Sequence, residues 1–401
     1  MRHTMGSYTD RPEISLSGLR QWKKAGGKLC IYCAGVCGTE WFEILDHFGL
    51  RVDLFLDNDS GKWGRKLAGG VACVSPLEVA GRDDCLSFVC VGANIYQSVW
   101  ETALRQDIRH LTEVNELIDH LISHDVDKYF DLIRFHARQP QAEIFTPLRE
   151  QCPCANRLSL AEHERIAVYT GIFGGYDSYL APSCYPNKVD YYLISDEVPQ
   201  NLPPRVTWID GKSVIPRELH SPILRNRYIK MHAHEIFGSY RYSAYVDGNI
   251  MISGDVTDYL LESAAGISSF MHPYVDCIFY EALGITNCGR VDVDDVCAQM
   301  QRYRNEGMRI HFGMPEMCFV VRDHKNALGS KIMETWWEEF RTGAHRDQLS
   351  FAYALWKNGA SMDDIAFLGR SIHTCADFTR YPHRCESMHI KNEDKISLKE
   401  V

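Results

Sequence analysis

Asp247, Gly248 and Asn249 close an alternating stretch, RYSAYVDGNIMI from Arg241 to Ile252, in which Tyr242, Ala244 and Val246 stand against Ser243 and Tyr245. Residues i and i+2 of an extended chain point to one side, so Asp247 and Asn249 would present oxygen ligands together. Gly248 would let the backbone bend closely around whatever binds there. Mg²⁺ and Mn²⁺ take carboxylate, amide and phosphate oxygens, and the substrate commonly completes their shell. The chemistry that suits the tripeptide is a divalent metal holding a diphosphate. Taken alone, the tripeptide reads first as a hairpin turn, because Asp-Gly and Gly-Asn are both turn dipeptides.

Phosphate-binding candidates lie upstream. A helix expected over Ile223 to Phe237 puts Asn226, Arg227, Lys230 and His234 on one stripe and Ile229, Ala233 and Phe237 on another. Arg225, Arg227 and Lys230 could meet phosphate oxygens, or the stripe could be a solvated surface. His232 and His234 point to nearly opposite sides of such a helix and do not chelate together. Earlier, a strand from Arg165 to Tyr169 runs into TGIFGGYD, Thr170 to Asp177, whose glycines let backbone amides approach a ligand. Thr170, Gly171 and Tyr176 are nucleotide-binding candidates there. The strand Val189 to Ile194 ends at Ser195-Asp196, where open α/β sheets put their ligands, which adds Asp196. Ordinary turns and capping acids give the same patterns. Arg346-Asp347-Gln348 opens a further helix; the dipole favours Asp347 as an anion, either as a proton acceptor or as a cap, and Gln348 joins the nucleotide-binding set.

The elements that must hold these residues form an α/β pattern. Leu29 to Ala34 reads as a strand, Gly35-Val36-Cys37-Gly38 as a turn, Thr39 to Phe48 as a helix, and Val52 to Leu56 as a second strand ending in Asp57. Apolar runs at Val71 to Val74 and Leu86 to Val91 continue the alternation, which predicts a small parallel sheet of Rossmann type. Gly35, Gly38 and Asp57 would then face a nucleotide, although GxxG lacks the third glycine of the dinucleotide fingerprint. Helical spacing recurs from Glu113 to Phe135 with a break at His124-Asp125, and Ala137 to Ser159 reads as a linker. The expected division is residues 1–123, a Rossmann-like domain; 124–160, a helical connector and linker; 161–385, a mixed-sheet domain; and 386–401, a polar tail.

With 401 residues, 45% hydrophobic and 24% charged, the chain can bury two or three cores, and its net charge of −10 gives no reason to expect nucleic acid. No apolar run approaches the roughly 18 residues of a membrane span. Fifteen scattered cysteines and a polar start read as free thiols in a cytoplasmic protein. Cys30 and Cys33 fall in a strand and face apart, and Cys152-Pro153-Cys154 has no second pair at ligand spacing.

Two resemblances add to this. FLDNDSGKWGRKLAGGVACVSPLEV is similar to the Rossmann-like modules that accompany sugar-modifying enzymes in polysaccharide pathways. IAVYTGIFGGYDSYLAP, DYYLISDE, RNRYIKMHAHEIF, YSAYVDGNIMI, MHPYVDCIFYEA and RDQLSFAYALWKNG occur in the order of the glycosyltransferase-like domain family of plant Golgi proteins and bacterial polysaccharide loci, formerly a domain of unknown function. The resemblance spans about Arg165 to His373. It implies a GT-A fold with a nucleoside diphosphate sugar donor, a glycan or lipid-linked acceptor, and Mn²⁺ or Mg²⁺ at the acidic turn. Asp247 matches the first acid of the DxD element and Asn249 departs from the second. His272 matches the family's histidine-proline segment on the acceptor side, with Glu281 following, and His373 lies where related transferases supply a late metal ligand, in competition with His311, His383 and His389. For an inverting reaction the base would be Asp347 or Glu281. The function expected is glycosyl transfer in polysaccharide biosynthesis without a transmembrane segment, peripheral membrane contact being compatible with it. The alternative is a sugar-nucleotide binding or scaffolding protein with a degenerate transferase domain. An NAD-dependent oxidoreductase is disfavoured by the incomplete glycine fingerprint.

Overall fold

The computed structural model describes residues 11–92, 95–138, 155–287, 289 and 291–383. Most of the expected linker, with Cys152-Pro153-Cys154, and the expected tail, with His389, lie outside the described residues. The chain divides into two compact units, Met1–Pro147 with Phe279–Asn305, and Leu148–Ile278 with Glu306–Val401.

The first unit is built on β1 (Lys28–Tyr32), β2 (Leu54–Leu56), β3 (Cys73–Val74), β4 (Cys85–Val89) and β5 (His110–Glu113). They pair in the order β3-β2-β1-β4-β5, every neighbour parallel. Helices cross between them: α1 (Leu16–Lys24) precedes β1, α2 (Val36–His47) joins β1 to β2, and α3 (Tyr96–Arg105) joins β4 to β5. All five residues of β4 are buried, as a strand covered on both faces requires. The helical run after β5 breaks at Asp125, φ −137° and ψ 63°, into α4 (Val114–His124) and α5 (Val126–His136).

The second unit carries β6 (Ile166–Ile172), β7 (Val189–Ser195), β8 (Val206–Asp210), β9 (Tyr242–Val246), β10 (Ile250–Ile252), β11 (Ile267–Met271), β12 (Pro315–Asp323), β13 (Ala366–Phe367) and β14 (Phe378–Arg380). Seven of these form a mixed sheet, β13-β11-β12-β9-β6-β7-β8, in which β12 runs antiparallel to both β11 and β9; β10 pairs separately with β14. The helices that follow in chain order are α6 (Gly211–Val214), α7 (Pro222–Met231), α8 (Ala233–Ile236), α9 (Ile278–Asn287), α10 (Val293–Asn305), α11 (Ala327–Thr342) and α12 (Asp347–Lys357). The single helix expected over Ile223 to Phe237 is two, because His232 leaves helical geometry (φ −111°, ψ 33°) with its ring stacked on Tyr228 and its Nδ1 3.0 Å from the Tyr228 carbonyl.

α9, from Phe279 onward, and α10 fold with the first unit, although the chain reaches them from the second. The Tyr129 hydroxyl donates to the Phe279 carbonyl at 2.8 Å, the Tyr280 hydroxyl donates to Asp119 at 2.8 Å, and Arg304 Nη2 donates to the Ser123 carbonyl at 2.6 Å. Thus α9 and α10 join α4 and α5, whose apolar residues Leu117, Ile118, Leu121, Leu132 and Ile133 are buried. None of the described helices is long and apolar enough to cross a membrane.

The β1–α2 turn shows what its glycines are for. A Cβ on Gly38 would lie 2.1 Å from the Cys33 carbonyl oxygen, a backbone atom that cannot swing away, whereas one on Gly35 would meet nothing within 4 Å. Cys33 itself holds a left-handed φ of 83° to make the turn. Gly38→Ala should therefore destabilise the protein by about 1–3 kcal/mol, the usual cost of forced overpacking. Gly35→Ala should stay within about 0.5 kcal/mol. Urea unfolding followed by circular dichroism reads both, and equal midpoints would contradict this account.

Candidate active site

Lys230 is the centre of the second unit's charged residues. It is only 1% exposed, near the end of α7. Its Nζ donates to Asp347 Oδ2 at 2.7 Å, lies 3.7 Å from Asp247 Oδ1, and sits over the rings of Tyr245 and Trp336 at 5.1 and 5.6 Å. Arg227, one turn back on α7, brings Nε to 3.0 Å from the same Asp347 oxygen without the alignment of a hydrogen bond. Of the expected cationic stripe, Lys230 is buried and Arg227 half-buried, both turned to Asp347 rather than left as a solvated surface. Asp347 is the first residue of α12, and its carbonyl accepts from Trp336 Nε1 at 2.8 Å. Burial acts to raise the Asp347 carboxyl, but Arg227, Lys230 and Arg346 together overcome it and hold the group well below the usual carboxylate range. A carboxylate stabilised this strongly is a weak proton acceptor, so the base role expected for Asp347 does not suit its surroundings.

Asp247 follows β9, its amide donating to the Cys318 carbonyl on β12 at 2.9 Å. The Ile250 amide donates to the Asp247 carbonyl at 3.0 Å, which makes DGN a turn. It is not a hairpin, because β9 and β10 belong to different sheets. The turn ends the two-residue periodicity, and Asp247 and Asn249 acquire different partners: Asn249 Nδ2 donates to the Tyr381 carbonyl at 2.9 Å, while Asp247 faces Lys230. His373 Nε2 is 3.2 Å from Glu316 Oε1. Among the described residues no three His, Cys, Asp or Glu are placed to hold one metal ion. A Cβ on Gly248 would come within 3.4 Å of Asp177 Oδ2, and Asp177 pairs at 3.0 Å with His383 Nδ1. Asp177 and His383 therefore border the turn.

The glycine loop is largely structural. Asp196 accepts from the Gly174 amide at 3.0 Å and pairs with Arg225 at 2.5 Å, so both charges are used to close the loop. A Cβ on Gly171 would lie 2.1 Å from Ile229 Cδ1, and its carbonyl accepts from Asn226 Nδ2 at 2.8 Å; it is a seat for α7. Thr170 keeps a buried hydroxyl without a hydrogen bond, and with Tyr179, Tyr191, Gly248 and Ile250 it lines a pocket beside the turn. Tyr176 is exposed, its ring 5.0 Å from that of His383.

A second group surrounds Glu316, which sequence spacing did not single out. Its oxygen Oε2 is buried without a hydrogen bond, while Oε1 faces His373. Burial pushes the nearby Cys318 thiol well up, and the charges of Glu316 and Asp247 push it further, so this thiol adjoins both acids. His272 Nδ1 accepts from the Val275 amide at 3.1 Å, and burial lowers this histidine to about 4 against the opposing charge of Glu316. Gln348 donates to the Pro315 carbonyl at 2.5 Å, fixing the start of β12. Glu281, by contrast, is carried on α9, with the first unit.

In the first unit Asp57 is committed to structure. One oxygen accepts from the Ala34 amide and from Lys62 Nζ, each at 2.8 Å, and the other from the Asp59 amide at 2.9 Å. These bonds, with Lys62 foremost, outweigh burial and lower its carboxyl. A ribose hydroxyl would have to displace them.

The TOD1/MUCI70 glycosyltransferase-like domain model matches residues 154–368, more than half of the chain. Comparison with curated proteins returned no match. Among solved structures, the WbbM bifunctional glycosyltransferase aligns at 13% identity and a TM-score of 0.35, covering 53% of this chain and 40% of that one. GlyE of Streptococcus pneumoniae TIGR4 aligns at 12% and 0.29, covering 51% and 45%. The galactosyltransferase LgtC, solved with donor and acceptor sugar analogues, aligns at 9% and 0.32, covering 50% and 72%. The alignments thus span less than half the length of WbbM and GlyE.

Removing one partner of a buried ion pair leaves the other uncompensated. Asp347→Ala should cost about 3–5 kcal/mol, and Asp347→Leu combined with Lys230→Met should cost less than the two single changes added. Additive losses in urea melts would refute the coupling. Acid should also weaken the fold through His272 and His324, both held near 4 mainly by burial against an ordinary 6.5. The unfolded chain takes up these protons first, so stability is full above about 6.5 and falls as pH drops toward 4. His272→Gln should flatten that slope, and an unchanged slope would exclude His272 as a source.

Proposed function

Since the chain belongs to the TOD1/MUCI70 glycosyltransferase-like domain family, we propose that its second unit transfers a sugar, of hexosyl type, from a nucleoside diphosphate sugar to a hydroxyl of a glycan or lipid-linked acceptor in polysaccharide biosynthesis. The observation that carries this reading is the meeting of Asp247 with buried Lys230, itself shared with Asp347 and Arg227. Arg227, Lys230 and Arg346 act on Asp347, and Asp247 lies beside Lys230 as a second acid. These cations are fixed in place before any ligand arrives, and they suit the charge that builds on a departing diphosphate. The nucleoside would lie outside this end of β9, near Thr170, Gly248 and the exposed Tyr176.

A divalent ion fits the donor set in a limited way. Asp247 offers a carboxylate, and Asn249, its nitrogen held by Tyr381, offers an amide oxygen; an ion bound so weakly by protein would draw most of its shell from the diphosphate. When bound, Mn²⁺ or Mg²⁺ would supply further neutralisation of the leaving group. Asp347 then positions Lys230 rather than moving a proton, and Gln348 fixes β12. We place the reaction in the cytoplasm, with peripheral membrane contact where the acceptor is lipid-linked. The departure at Asn249 favours, as the second reading, a protein that binds nucleotide sugars without turning them over.

Thermal-shift and calorimetric titrations with UDP, GDP, CDP and dTDP and their sugars, with and without Mn²⁺, separate the readings. Nucleotide should raise the melting temperature. Asp247→Ala should abolish the metal-dependent part and slow nucleotide release from the sugar donor at least ~100-fold. Unchanged binding and turnover in Asp247→Ala would end the proposal, while wild-type binding with no release or transfer would favour the second reading.

A further inference from the structure

β6, β7, β8 and β9 run parallel to one another, and β11, antiparallel to β12, points the same way as β9. Their carboxyl ends meet at one edge of the sheet, the edge that carries the Asp247 turn. Among the described residues of the second unit, the exposed large apolar side chains are Tyr176, Val198, Ile223, Tyr274 and Tyr381, each 40–53% exposed. All of them stand at that edge.

Tyr176, Val198 and Tyr274 come just beyond the ends of β6, β7 and β11. Tyr381 is tied to the turn itself, its amide donating to the Asn249 carbonyl at 2.8 Å. Ile223 opens α7 beside Pro222, whose Cγ would lie 2.8 Å from a Cβ on Gly174 in the loop after β6. The opposite edge of the sheet differs in character. There Arg165 pairs with Asp190 at 2.5 Å and Arg241 with Asp323 at 3.1 Å.

Exposed apolar groups gathered on one face mark an interaction surface. These come from separate segments placed around the turn, so a folded partner seated on all of them would cover the turn with foreign side chains. A bilayer that carries the acceptor would instead deliver it there. Val198 and Ile223 have no ring to stack on a sugar and suit hydrocarbon. The tyrosines suit the boundary between headgroups and acyl chains, with the ring in the apolar zone and the hydroxyl in water. Exposed charges on this edge are of both signs, Lys212 and Arg217 with Glu197 and Glu218, so the apolar groups and not net charge select the partner.

We propose that this edge docks on a lipid bilayer, with Tyr176, Val198, Ile223, Tyr274 and Tyr381 resting in its headgroup zone and a lipid-linked acceptor meeting the Asp247 turn. The inference rests on the glycosyl-transfer reading and names the surface and the acceptor class that the site uses. The contact is shallow and reversible, made by side chains at the interface and not by a span.

The test sediments the full chain with vesicles of phosphatidylcholine, with and without phosphatidylglycerol. Wild-type protein should bind both, and binding to phosphatidylcholine should survive high salt, which screens charges. Val198→Ser combined with Ile223→Ser should keep the melting temperature and the affinities for UDP, GDP and dTDP, and should weaken vesicle binding about tenfold or more through the apolar area no longer buried. Ile223→Trp should strengthen it. The serine pair should match wild type in transfer to soluble alkyl glycosides and fall with vesicle binding in transfer to a glycolipid held in the vesicles. Should the pair not fold, Ile223→Trp carries the test alone. Wild-type protein that stays in solution, a folded serine pair that binds as wild type does, or an Ile223→Trp protein no tighter than wild type would overturn the docking surface and leave the transfer reading standing. So would a dimer that the serine pair abolishes, without vesicle binding by the wild type. Vesicle binding without nucleotide release or transfer to any acceptor would overturn the transfer reading and leave the surface.

Discussion

An ammonium group at Lys230 taken almost wholly out of water is the constraint on which the second unit depends. An isolated buried charge would neutralise or unfold its surroundings, so everything near Lys230 has to answer it. Asp347 does so by direct contact, Tyr245 and Trp336 by the faces of their rings, and Asp247 at longer range. These four residues come from β9, the turn beyond it, α11 and the start of α12. The charge therefore ties together segments separated by about a hundred residues, and it fixes where Asp247 can stand.

Replacing such a cluster by well-packed apolar residues is often neutral or stabilising, so stability alone is a poor reason to retain it. Its arrangement has another consequence. Asp347 is saturated by cations and so is tied to orientation, whereas Asp247 keeps a side chain 29% exposed and stands 3.7 Å from Lys230. One acid is held back from proton transfer and the other is left open to a ligand. The two carboxylates beside Lys230 are separated in role by their neighbours, as environment commonly separates paired acids.

What could be read in sequence follows from how far each signal reaches along the chain. Strand and helix periodicity is local, and β1, β2, β6, β7 and β9 stand where alternation and apolar runs put them. The break at Asp125 was also legible, because His124-Asp125 interrupts a continuous stripe. The partners of Asp247 were not. Periodicity carried it no further than the last extended residue, and the turn at Gly248 then gave Asn249 to Tyr381, more than a hundred residues on. Gly171 shows the same limit: a glycine in a loop predicts close approach, but not that the approaching atom is Ile229 rather than a phosphate.

Glu316 was hidden for a different reason. In PEMCFVV it looks like the polar position of an alternating strand, which would point to solvent. Its neighbour His373 lies far along the chain, and the register shift opposite Ser269 and Phe270 is a relation between two strands. Nothing in either strand alone announces it. The same holds for α9 and α10, whose covering of α4 and α5 breaks the link between chain order and domain that a reading along the sequence assumes. A domain boundary drawn at the linker places Glu281 among the transferase residues; hydrogen bonds from Tyr129, Tyr280 and Arg304 place its helix with the first unit instead. Local pattern is thus enough to locate the sheet that presents the site, and long-range pairing decides which side chains the sheet presents.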